Sequence, residues 1–123
     1  MVEIVDKTAQ AGFGTRFGSL GQVEAVIIHH TAGGGSVDGV ISTFKERGLP
    51  AQYVLDQNGT IYKTLPDGAK GQQILASQSG ASRAGLNNSN TIGIEIIGAN
   101  DAAKPAAQVA AARINFRPQA LKS

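Results

Sequence analysis

The chain has 123 residues, 41% of them apolar, with 11 Lys or Arg against 9 Asp or Glu and a formal charge of +2. That length fits one domain with a modest core, and so small a charge gives no ground for nucleic-acid binding. Cysteine is absent, which excludes disulfides, cysteine metal sites and cysteine nucleophiles, and no window approaches the ~20 apolar residues that a membrane helix needs.

The opening MVEIVDKTAQ carries acids where an export signal is basic and then apolar, so cytoplasmic synthesis without a signal peptide is expected. Residues 1–22, rich in Gly, Thr and Gln, read as an irregular arm. The first decisive stretch is Ala25 to Gly35, AVIIHHTAGGG, which forms the end of a strand expected near 23–29. A β-branched run there delivers His29 and His30 to the carboxyl end of a strand and then breaks into glycine, the place where α/β folds keep their sites. Side chains alternate along a strand, so the two imidazoles point to opposite faces and do not grip one ion together. A lone histidine at a strand end is more often a hydrogen-bonded structural group than a ligand.

Ser36 is an N-cap candidate for a helix over 37–47, where Val37, Val40, Ile41 and Phe44 fall at helical spacing and Gly48 and Pro50 supply the stop. Two short β-prone runs, 52–55 and 60–65, flank Asp56-Gln57-Asn58-Gly59, and Asn-Gly between such runs predicts a hairpin. Residues 69–90 have no steady periodicity and read as a long polar loop. Thr91 to Gly98, TIGIEIIG, predicts a strand with a carboxylate, Glu95, inside an isoleucine run. A buried carboxylate is costly unless paired, hydrogen-bonded or near a metal, which makes Glu95 either a general base or a structural partner of an Arg or Lys. The runs at 23–28 and 91–97 are apolar enough that both are expected at the centre of the sheet. Pro105 and the alanines after it predict a helix over 105–114 ahead of Arg117-Pro118. Residues 102–123 carry four of the bases and no acid, which leaves seven bases and nine acids to the rest of the chain.

Three stretches, IIHHTAG (27–33), AQYVLDQNGTIYKTLPDG (51–68) and RAGLNNSNTIGIEIIG (83–98), resemble the type 2 N-acetylmuramoyl-L-alanine amidases, the zinc-dependent superfamily that includes phage lysozyme-type amidases and peptidoglycan recognition proteins. The resemblance implies an α/β fold with a central mixed sheet flanked by helices, in which the strands of His29 and Glu95 are close neighbours. It divides the chain into an arm (1–22), an amidase-like core (23–104) and a short basic helix and tail (105–123). It implies His29 as a zinc ligand and Glu95 as the catalytic base, the role a glutamate has in cell-wall-recycling members. The lysozyme-type branch has instead a tyrosine at the position of Ala51.

Substrate contacts are implied for His30, Thr31, Gln52, Arg83 and Asn90. Gln52 stands where many relatives have His or Asn, and Arg83 where they often have His. The resemblance stops near residue 104, short of the segment in which relatives carry a second zinc histidine and a third ligand, so a C-terminally short member of the superfamily is expected. The activity implied is cleavage of the bond between the muramoyl lactyl group and L-alanine, with peptidoglycan or a muropeptide as partner and the bacterial wall as the place of action. The alternatives are a muropeptide-binding member without catalysis and a structural piece, for example of a phage particle, covered by a protein partner.

Overall fold

The computed structural model describes residues 4–31, 35–74 and 86–98. The helix expected over 105–114, the basic tail and Arg83 lie outside them. Seven elements follow in order: β1 (Ile4–Asp6), α1 (Thr8–Ala11), β2 (Ala25–His30), α2 (Val37–Arg47), β3 (Tyr53–Leu55), β4 (Ile61–Lys63) and β5 (Thr91–Ile96). The five strands form one sheet in the order β1-β4-β3-β5-β2, antiparallel only between β3 and β4. This is the mixed sheet with helices that the sequence predicts.

The hairpin forms where Asn58-Gly59 predicts it. Gly59 adopts φ 89°, a left-handed conformation that glycine reaches without a Cβ penalty, and the Asn58 side chain accepts from the Thr60 N–H at 2.9 Å. Its ladder continues past the strands, since Thr64 N–H donates to the Gln52 carbonyl at 2.9 Å. α2 keeps its predicted limits. Ser36 Oγ accepts from Gly39 N–H at 3.0 Å, Gly48 ends the helix in a left-handed cap, and Val37, Val40, Ile41 and Phe44 are its buried face.

Two expectations need correction. The lead-in is not irregular: Ile4–Asp6 adds a parallel strand to β4, and a helical turn follows it. Asp6 holds that turn by accepting from Thr8 N–H at 2.9 Å and Thr8 Oγ at 2.6 Å, and Ala11 and Phe13 enter the core. Three residues of strand and four of helix are shorter than any period a sequence can reveal, so tertiary pairing decides them. The second correction concerns β2, which is an edge strand among the described residues, paired with β5 alone. Ile28 on it is 51% exposed. An apolar run does not report hydrogen bonding along an edge, which topology settles. β5 is interior, as expected, between β3 and β2.

The sheet separates two apolar layers. Val54, Ile97, Leu65 and Ala51 pack with Val37, Val40, Ile41 and Phe44 of α2 and with Ala11 and Phe13 on one face, while Leu55, Ile61, Ile94 and Ile96 form a second cluster on the other. Gly93 of β5 is a point of close approach. A Cβ built on it would meet Gln73 Cγ at 2.7 Å and Ala51 Cβ at 3.1 Å. Gly93→Ala is therefore expected to destabilise the chain by about 1–3 kcal/mol through overpacking, read as a lower urea midpoint with an unchanged slope. An unchanged midpoint would mean that Gln73 yields freely.

Candidate functional site

β2 and β5 run parallel with His29 beside Glu95, and β3 places Val54 on the other side of Glu95. Directly paired residues point to the same face of a sheet. Val54 belongs to the layer beneath α2, so His29 and Glu95 also face α2. There they line a cleft of about 570 Å³ whose walls include Thr31, Ala51, Gln73 and, from α2, Gly39, Thr43 and Arg47. The cleft opens at the carboxyl ends of β2 and β5, as the sequence predicts.

Both titratable side chains are shaped by lost water. Burial raises the Glu95 carboxyl above its ordinary 4.5. No ion pair or hydrogen bond among the described residues answers that cost, so the reading of Glu95 as a structural salt-bridge partner has no support among them. His29 is pushed below its ordinary 6.5, first by burial and then by the neighbouring His30. Its Nε2 is buried without a hydrogen-bond partner among the described residues, an uncommon state for a polar nitrogen. The pair thus offers a proton acceptor and a ligating nitrogen side by side.

The remaining expected contacts divide. His30 and Thr31 border the cleft where the chain leaves β2, and Thr31 is fixed there by donating N–H to the Ile96 carbonyl and accepting from Gly98 N–H, each at 3.1 Å. Gln52 is corrected: it is 4% exposed, its Oε1 accepts from Gly93 N–H at 2.7 Å and its Nε2 donates to the Ala69 carbonyl at 3.2 Å. Both ends of that amide serve the fold, because a buried backbone N–H needs an acceptor. Asn90 is corrected too. It stands just before β5, at the end opposite Glu95, and donates to Glu24 at 3.0 Å. Polar residue type had suggested ligand contact, and only the direction of the strand shows the distance.

Two cleft residues were not read from the sequence. Gln73 is 8% exposed and donates to Thr91 Oγ at 3.1 Å, its chain lying over Gly93. No periodicity marks it. Arg47 was legible, because Gly39, Thr43 and Arg47 repeat every four residues and so share one side of α2.

A catalytic zinc takes three protein ligands and an open position. The unpartnered Nε2 of His29 suits such an ion, but no three His, Cys, Asp or Glu side chains come together among the described residues, and the whole sequence holds two histidines and no cysteine. The described residues do not make up a complete zinc site.

Comparison with known proteins follows the same lines. The family described as N-acetylmuramoyl-L-alanine amidase matches residues 19–115, a span that runs past residue 104, near which the motif resemblance ends. No curated protein matches the chain. Among solved structures, the N-acetylmuramoyl-L-alanine amidase LysC of Clostridium intestinale superposes with a TM-score of 0.66 at 17% identity, covering 96% of this chain and 74% of that one. A mutant endolysin from Bacillus subtilis gives 0.62 at 22% identity over 92% and 71%. The Drosophila recognition protein PGRP-LB gives 0.63 at 17% over 99% and 76%. At these identities the likeness is one of fold.

The isolated carboxylate has a consequence for stability. Because the folded chain holds the Glu95 proton more tightly than the unfolded chain, Glu95 favours folding at low pH, and that contribution is lost as pH rises through its elevated folded value. His29 works the other way, its contribution present above 6.5 and lost on acidification. Glu95→Gln is expected to be more stable than the parent near pH 7, with the gap closing toward about pH 4. Urea titrations across that range test it, and a gap that does not change with pH would show that Glu95 is solvated.

Proposed function

The chain belongs to the N-acetylmuramoyl-L-alanine amidase family, and on that premise we propose that its cleft takes peptidoglycan at the amide bond between the muramoyl lactyl group and L-alanine. One observation carries the reading: His29 and Glu95 are register partners on one face of the sheet and open together into the cleft under α2. In hydrolysis of that bond, Glu95 accepts the proton of the attacking water as oxygen bonds to the carbonyl carbon, and returns it to the departing alanine nitrogen. Its raised proton affinity suits it to both steps. His30 and Thr31 border the bound amide. Action at the bacterial wall follows from the substrate, with synthesis in the cytoplasm.

In the family a zinc ion would supply Lewis-acid activation of the carbonyl and water, and among the described residues His29 would be a donor toward it. Since the ligand set is not completed by the described residues, a second reading has its own support: the chain binds muropeptides in the same cleft and turns them over slowly or not at all.

Sedimentation with insoluble peptidoglycan, dye release from labelled walls and calorimetric zinc titration separate the readings. Binding to peptidoglycan is expected in each, and its absence would end both. Under the hydrolytic reading Glu95→Gln leaves sedimentation unchanged and lowers dye release by about 10²-fold or more, the usual weight of a general base. Sedimentation that survives a chelator, with neither zinc uptake nor dye release by the parent, selects the binding reading.

A further inference from the structure

We infer that Gly39 sets how large a group the cleft accepts beside the scissile amide, and that the group it admits is the saccharide ring of the muramoyl unit. The inference rests on the reading that the cleft binds peptidoglycan, and adds to it the place of the glycan.

α2 connects β2 to β3, and both of those strands run parallel to β5. The helix therefore starts at the carboxyl end of β2 and returns toward the amino end of β3. Its first turn stands at the end of the sheet where His29 and Glu95 lie. Gly39, in that turn, is exposed and lines the cleft with them.

No duty within the helix calls for glycine at this position. Its backbone lies outside the left-handed region, unlike that of Gly48, which ends the same helix at φ 67°. Its N–H donates to Ser36 Oγ at 3.0 Å, a capping bond that any residue but proline can make. Glycine is the poorest helix former after proline, and the third helical position is the one where Glu or Gln closes a capping box. A Cβ built on Gly39 would meet Ser36 Oγ at 3.3 Å and, outside the helix's own backbone, no other described atom within 4 Å. The space a side chain would take is that of the cleft. Glycine suits a wall whose backbone comes close to a ligand.

The two groups that flank the scissile amide ask different things of that wall. The stem peptide is a narrow branch with a free end. The muramoyl ring is broad and belongs to a glycan that continues on both sides of it, so it needs an open mouth and a wall without side chains. The cleft opens at the carboxyl ends of β2 and β5, beside Gly39. Beyond the other end of α2 its lining includes Ala51, which is 2% exposed and part of the core.

The test uses the full chain carrying Glu95→Gln, which spares the ligand from hydrolysis. Two ligands are titrated calorimetrically, an N-acetylmuramoyl tripeptide and the same tripeptide bearing the lactyl group without the sugar. The muramoyl compound should bind more tightly. Adding Gly39→Leu should lower its affinity by about tenfold or more, the scale of an overpacked contact, and leave the lactyl compound unchanged, with Gly39→Ala in between. Ser42→Leu, at an exposed position of α2 outside the cleft, should change neither. Unchanged binding of the muramoyl compound by Gly39→Leu overturns the inference. An equal loss for both ligands also overturns it, since that result assigns the glycine to the Ser36 cap. A Glu95→Gln chain that binds both compounds equally overturns it and leaves the peptidoglycan reading standing, whereas one that binds neither overturns both.

Discussion

The parallel register of β2 on β5 is the constraint on which the site depends. It sets His29 against Glu95 and, because paired residues share a face, commits both to the side that α2 covers. A slip of one residue would pair Glu95 with Ile28 or His30, either of which points to the other apolar layer, and the carboxylate and the imidazole would no longer share a cleft. β5 itself cannot slip easily, since it is held on both sides, by β2 and by β3, with Ile94 and Ile96 locked into one layer while Ile97 joins the other.

Beneath the site runs a set of buried polar contacts that serve position rather than chemistry. Gln52 satisfies the N–H of Gly93, Gln73 reaches Thr91 from above Gly93, and Thr91 Oγ donates to the Asn87 carbonyl at 2.7 Å. Each links a neighbouring segment to the strand that carries Glu95. Desolvation of that carboxylate follows from the same packing: the elements that close over β5 remove water without supplying a donor.

Membership of the amidase family and the donor count of this chain pull in different directions. The family match is to N-acetylmuramoyl-L-alanine amidases, while the described residues bring no three metal-binding side chains together. Among the described residues the cleft holds the Glu95 carboxyl, the His29 imidazole and, from the last turn of α2, Arg47.

Local pattern alone determined a good deal. Apolar spacing and the caps Ser36 and Gly48 specify α2, Asn58-Gly59 specifies the hairpin, and the β-branched runs ending in His29 and surrounding Glu95 specify the two strands that build the site, because each of these depends on neighbours a few residues away. Tertiary structure decided the rest. β1 and α1 are too short to have a period and exist through pairing with β4 and packing on the core, and β2 is an edge among the described residues, which composition does not report. Gln52 and Asn90, polar and close in sequence to the site, were drawn away from it, one into the support of Gly93 and one to the opposite end of β5. A side chain's type is written in the sequence, but its partners across long separations are chosen by strand direction and register, and no local signal encodes those.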